Sequence, residues 1–430
     1  MNNKIIKNAS WIIVCRVAQS LLNLVVSMIM ARYLGPSNYG VISYAASLVA
    51  FAVPIVQLGL NNIIVHEVVD KPDKEGETMG TTLGLTIVSS LLGVITITAI
   101  SFFINYGERD TIIICALYSI SLIFQMTEMI HYWYQAKLMS KYVALASLFS
   151  RVIVSLYKIY LILSAKSVFW FAIVHGLDYL IISFILFFTY KKMRAQKLTF
   201  SFEMAKHLIA QGKHFVIPGI MVSIFSQTDK IMLKHMIGDA SSGYYTAAVT
   251  CAGMTVFVFS AVIESCRPVI FANKKTNKRK YEDSIVNMYS VVIYMALVQS
   301  VVFTVGADLI VNILYGTEFL PTVPILRIIT WHSAFSYIGS ANIAWMLAED
   351  KHKYLWIINL SGVIVNIFGN CMLIPIYGEC GAALASLGTQ FFINYLLYFI
   401  IKPFRENARL LLKGTNPMTL VHLIKLLKKK

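Results

Sequence analysis

Arg151 and Lys158 stand seven residues apart inside one apolar run, 142–163. On a helix that spacing puts both on one face, about two turns apart. An ionised group within hydrocarbon is costly, so it faces a cavity or a partner. Two cations in file along one helix make a path for an anionic headgroup. Arginine suits that work because its guanidinium fork binds oxyanions bidentately. The structural alternative is ion pairing with Asp178 or Glu128. Arg16, in the first apolar run, and Lys230, in the seventh, extend the cationic set. The stem of Arg16 is placed to snorkel toward the near interface.

A carboxylate in such a run is a candidate for ion coupling, because binding a proton or cation changes the charge that the path presents. Asp229, Asp178 and Glu264 are the candidates, with His175 one turn from Asp178. Asp229 and Lys230 are adjacent and cannot face each other on a helix, so each needs a partner elsewhere. Ser223, Ser226, Gln227 and Thr228 precede Asp229 as a polar row that is out of place against lipid. Asn359 and Asn366 share a face and serve either sugar hydroxyls or interhelical bonds. No Walker A loop, strand-borne GxGxxG or HExxH motif occurs, and the six cysteines are scattered singly without metal-ligand spacing. The residues therefore give no reason to expect an enzyme, a metal site or a cofactor. The cysteines read as buried small hydrophobes.

The elements that must position these groups are membrane helices. Only 13% of residues are charged, against about 25% in soluble chains, and mean hydropathy is +0.69. A helix of about 20 residues crosses the hydrocarbon core. Twelve such segments are legible, near 10–31, 41–64, 81–104, 111–130, 142–163, 168–190, 214–236, 244–265, 286–313, 325–348, 354–374 and 381–401. The expected fold is all-α and polytopic. The largest loops, 191–213 and 266–285, are too short for a catalytic domain, so permeation is favoured over scaffolding. The apolar part of the N-terminal run continues to about Met30 and reads as a span, not a cleavable leader. Phe200–Gln211 reads as a surface helix or a solvated connector, and Met418–Leu427 as an interfacial helix. The acidic stretch 67–77 reads as a solvated loop, and His131–Tyr134 as part of an interfacial aromatic belt.

The net charge of +16 falls on alternate loops, with Lys191, Lys192, Arg194, Lys197, Lys206 and Lys213 in one and Arg267 to Lys280 in another. That is the positive-inside pattern, not a nucleic-acid signature, and it places both termini in the cytoplasm. Anionic lipids suit such a face. A short repeat accompanies it. Gly35 and Gly40 with Tyr44-Ala45-Ala46 recur as Gly238 and Gly243 with Thr246-Ala247-Ala248, 203 residues on. This predicts two six-helix bundles with the same orientation and a cleft between them. The division expected is 1–190 and 214–401 for the bundles, 191–213 for a basic cytoplasmic linker and 402–430 for a basic cytoplasmic tail.

Several runs carry a family resemblance. Ala31-Arg32-Tyr33-Leu34-Gly35-Pro36-Ser37-Asn38-Tyr39-Gly40, Gln227-Thr228-Asp229-Lys230-Ile231-Met232-Leu233, Tyr315-Gly316-Thr317-Glu318-Phe319 with Pro324-Ile325-Leu326-Arg327, and the run from Asn370 to Ala385 resemble bacterial polysaccharide flippases of the O-antigen and capsule type. The resemblance covers about residues 5–400. It implies the V-shaped two-bundle fold of the multidrug/oligosaccharidyl-lipid/polysaccharide exporter superfamily, in the bacterial plasma (inner) membrane. It implies an undecaprenyl-pyrophosphate-linked oligosaccharide as cargo, with Arg16, Arg151, Lys158 and Lys230 toward the pyrophosphate. Cooperation with the pathway's polymerase and chain-length regulator is implied too. Two relatives give alternatives. Lipid II flippases have fourteen spans where twelve are read here, and multidrug exporters move cations, for which a basic interior is unsuited.

Overall fold

The computed structural model describes the backbone of residues 2–193 and 196–420, and side chains from Cys15 onward apart from Arg16 and Asn62. Every regular element described is helical. The helices are α1 Asn2–Val56, α2 Asn61–Asp70, α3 Glu75–Ile104, α4 Arg109–Ser119, α5 Ser121–Gln125, α6 Glu128–Ala136, α7 Ser140–Leu163, α8 Val168–Lys192, α9 Phe202–Met236, α10 Asp239–Ala252, α11 Val256–Thr276, α12 Lys278–Val305, α13 Ala307–Tyr315, α14 Thr322–Ala348, α15 Leu355–Tyr377, α16 Glu379–Phe391, α17 Leu397–Ile400 and α18 Arg405–Gly414. Among the described residues, ten helical stretches are long and apolar enough to cross a membrane. The first of them, Val17–Val56, contains Gly35 at φ 72° and ψ 170°. A side chain there would meet its own backbone, so glycine is what allows the chain to turn. α14 is outside the ten. It is 27 residues long, carries Arg327, His332 and Asn342, and packs among α10, α11, α12 and α16.

The chain divides into two compact units, 1–234 and 235–430. In the first, α1 packs on α3, α4, α7 and α8. Left-handed residues fall at matched turns along the two halves of the sequence. Gly35, Gly107, Leu138 and Ala165 in the first half answer to Gly238, Gly316, Asp350 and Gly378 in the second. The offsets are 203, 209, 212 and 213 residues. Four turns of the same hand in the same order extend the short sequence repeat into the backbone.

Four local expectations are corrected. The second apolar run does not continue to residue 64, because the helix ends at Val56 and the chain reverses through Leu58 (φ 53°) and Gly59 (φ 66°) into α2. The acidic stretch 67–77 is solvated at 69–74 but buried at its two ends. Glu67 and Glu75 are 7% and 5% exposed, and each is held by cations and donors. Trp133 and Tyr134 are 3% and 0% exposed and do not belong to a surface belt. The Trp133 indole donates to the Glu75 carboxylate at 2.7 Å, and Lys137 pairs with the same carboxylate at 2.6 Å. That aromatic run reads as interfacial because it lies near a span end, but its tryptophan closes a buried core with Tyr190.

The fourth correction concerns 196–213. Phe202 onward is the first part of α9, continuous with the span, and Met204, Ala205, Leu208 and Gly212 are buried. Residues 196–200 run extended along α3. The Thr199 N–H donates to the Gly76 carbonyl at 3.2 Å, and the Gly76 N–H to the Gln196 side chain at 2.9 Å. Gly76, Gly80 and Gly84 form a smooth strip one turn apart. A Cβ on Gly76 would lie 2.4 Å from the Lys197 carbonyl oxygen, and one on Gly80 would lie 2.4 Å from that of Thr199. The segment is therefore packed, not a solvated connector. In the tail, α18 docks on α12, with Asn407 fully buried and bonded to Tyr289 and Asn342 at 2.8 and 3.0 Å. Of the expected interfacial helix, 421–427 lies outside the described residues.

Candidate cargo and coupling sites

Arg151 sits at mid-helix on α7, and its guanidinium pairs with Asp178 of α8 at 2.8 Å. The Asp178 side chain is 2% exposed, whereas that of Arg151 is 35% exposed. Ser150 adds a hydroxyl donor to the same carboxylate at 2.7 Å. His175, a turn before Asp178, stacks on Tyr118 with centroids 4.3 Å apart and meets the Tyr179 ring edge-on. The pair thus carries one fixed, buried end and one partly open end. Lys158 is half-buried two turns further along α7 and is a second cation on helices whose one acidic residue is Asp178. The α7–α8 face has a positive surplus.

A second cluster lies along α9. Lys230 donates to Gln227 at 3.2 Å, and the Gln227 carbonyl also accepts from Ser47 of α1 at 3.0 Å. The Gln227 amide donates to Ser226 at 3.3 Å. Asp229 is buried, at 6%. One turn past Lys230 stands Lys234, whose side chain is 3% exposed and pairs with Glu108 at 2.6 Å. Its ammonium lies 5.0 Å from the centre of the Tyr44 ring, and Asn105 donates to the Tyr44 hydroxyl at 3.1 Å. Sequence reasoning passed over Lys234. The legible signal was the four-residue step from Lys230, which puts both lysines on one face of the helix.

The remaining candidates are placed separately. Glu264 of α11 is largely exposed and pairs with Arg267 on the same helix at 2.8 Å. Asn366 is fully buried and donates to Ser386 of α16 at 3.2 Å, while Asn370 donates back to Asn366 at 3.2 Å. Asn366 thus takes the interhelical role of the two that its position allowed. Asn359, on the same helix, is half-buried. The side chain of Arg16 lies outside the described residues. Cys15, Cys115 and Cys251 are buried, as small hydrophobes should be, but Cys371 is exposed.

Paired charges inside long apolar helices are set in an all-α, multi-pass membrane chain. The fold is shared with solved transporters. A multidrug resistance MATE family transporter of the MOP superfamily, in an inward-facing conformation, superposes with a TM-score of 0.68 at 15% identity, covering 93% of this chain and 96% of that one. The lipid II flippase MurJ, in an inward closed conformation, superposes with a TM-score of 0.72 at 15% identity, covering 96% and 92%. In sequence, the chain is 20% identical over 401 residues to the "Putative O-antigen transporter" of Escherichia coli (strain K12), covering 92% of this chain and 96% of that protein. It is 22% identical over 218 residues to the "Uncharacterized membrane protein MJ1068" of Methanocaldococcus jannaschii, about half of each chain. Residues 29–324 match the family described as "Polysaccharide biosynthesis protein". The chain belongs to that family.

Proposed function

We propose that this chain is a flippase. It moves undecaprenyl-pyrophosphate-linked oligosaccharide repeat units, of O-antigen or a related surface polysaccharide such as capsule, from the cytoplasmic to the outer leaflet of the bacterial plasma membrane. The observation that carries the reading is the cationic surplus on α7 and α8 in a chain of the polysaccharide-biosynthesis family: Arg151 and Lys158 stand against the single carboxylate of Asp178. The open part of the Arg151 guanidinium offers donors to a pyrophosphate while Asp178 and Ser150 hold its orientation. Lys230 and Arg16 complete the cationic set. Asp229, Asp178 and Glu264 remain the carboxyls proposed for ion coupling. Ser226, Gln227 and Asn359 remain the polar residues proposed for the cavity.

The proposal includes twelve crossings, counting the kinked first stretch twice and adding α14. It places both termini, and the basic segments 191–213 and 402–430, in the cytoplasm, with two bundles alternating access. The pathway's polymerase and chain-length regulator are proposed partners. The test is surface glycan in a strain lacking the gene, with lipid-linked intermediates assayed on each leaflet. Loss of surface polymer, with repeat units held on the cytoplasmic side and restored by wild type, is the expected result. Normal surface polymer with sensitivity to cationic drugs would overturn it in favour of a multidrug exporter. Accumulation of lipid II would point instead to a lipid II flippase.

A further inference from the structure

A groove of about 720 Å³ runs through the first unit between α3, the α5–α6 junction, α8 and the extended segment 196–200. Gly80 and Gly84 form part of its floor and Phe184 and Phe187 one wall. It is open on one side, and the helices beside it present bare apolar residues outward: Val88 and Leu92 on α3, Phe188 on α8. Of the three hydroxyl residues in the lining, Thr127 and Ser183 bond to each other and to the Phe124 carbonyl, and Thr199 is exposed. The groove therefore makes no hydrogen-bonding demand on what fills it, and a hydrocarbon chain meets that condition without penalty. At one end the chemistry changes sharply. Lys191, Lys192 and Lys197 are all exposed: the Lys191 ammonium lies 4.7 Å from the centre of the Phe187 ring, Lys192 follows it on α8, and Lys197 directly precedes Leu198 of the lining.

An apolar trough that opens to the side, with three lysines at its end, is complementary to one class of molecule: an amphiphile with an anionic head. We infer that this groove holds one acyl chain of an anionic phospholipid, with its phosphate at Lys191, Lys192 and Lys197. The volume suits a single acyl chain. Each methylene taken into the groove adds favourable transfer free energy, and each lysine near the phosphate adds electrostatic attraction. The bound lipid bridges α3 and α8 and caps the extended segment, so it is a resident of the fold, separate from the cargo.

The experiment uses the full-length protein in phosphatidylcholine nanodiscs doped with a phosphatidylglycerol carrying a photoactivatable group on one acyl chain. Crosslinked peptides are mapped by mass spectrometry. Crosslinks should concentrate on α3, α8 and 196–200. They should exceed those of the matching phosphatidylcholine probe by about fivefold per lysine engaged. Changing Lys191, Lys192 and Lys197 together to Glu should remove that preference while retaining the wild-type elution profile. Ile87→Trp, which fills the groove from a partly exposed position, should remove the crosslinks themselves. Crosslinks spread evenly around the belt, or equal yields from both probes, would overturn the inference. So would displacement of the probe by undecaprenyl phosphate at a lower fraction than unlabelled phosphatidylglycerol, because the groove would then belong to the carrier lipid.

Discussion

At the residue scale, the balance between a charge and its environment decides each role. Removing one partner of a buried ion pair costs about 3–5 kcal/mol, because the other charge is left unpaired, whereas replacing both by apolar groups is often neutral. Glu108 is half exposed but the Lys234 ammonium is buried, so Glu108→Leu should lower the melting temperature of the purified protein strongly, and Glu108→Leu with Lys234→Met should recover most of it. If the double variant is as unstable as the single one, the pair is not what holds α9 to the α4 end. Arg151 calls for the same control. Arg151→Ala strands Asp178, so it must be compared with Arg151→Ala/Asp178→Asn, which removes both charges. With protein levels matched, the double variant should remain folded and fail to export glycan. Export at the wild-type rate would show that the pair is structural.

At the element scale, close approach of backbones decides what a sequence scan cannot see. Gly80→Leu would drive a side chain into the backbone of Thr199, at a cost of about 1–3 kcal/mol or more. Limited proteolysis should then cut at 196–201 in the variant and spare the wild type. Gly388→Ala, with open space at its Cβ, should leave stability unchanged or slightly raised. α2 is clamped to α9 by Glu67, which accepts from His207 at 2.8 Å and Lys71 at 2.9 Å. Burial pushes the Glu67 carboxyl up, but the bonds from His207 and Lys71 outweigh it and hold it below its ordinary value. A carboxyl lowered on folding stabilises fully above its unfolded value of ~4.3. That contribution is lost as pH falls through the lowered folded value. Glu67→Gln should reduce thermal stability at neutral pH and flatten its fall between about pH 5 and pH 3. A pH profile parallel to wild type would refute the clamp.

At the scale of the whole molecule, the solvent class, the helical fold and most of the spans were legible because about 20 apolar residues in a row admit one reading. The Arg151–Asp178 pair was legible as an alternative, since both charges are out of place in their runs. Lys234 with Glu108 was not, because its partner stood 126 positions away beyond a turn. Trp133 was misread for a related reason. Aromatic composition does not distinguish a headgroup contact from a buried donor bonded to Glu75. The strip Gly76, Gly80, Gly84 gave no sign of its occupant, because an extended segment docking on a helix leaves no periodic trace in its own sequence.

The docking of 196–200 on α3 has a genetic consequence. The basic loop looks like the natural place to sever the chain into two expressible halves, yet a fragment ending near residue 193 would leave a bare glycine trench and lack its α9 partner. A gene divided there should yield an N-terminal piece that is degraded when made alone. A gene divided between Ile237 and Gly238 keeps the strap and α9 with their own unit, and its two pieces should complement when co-expressed.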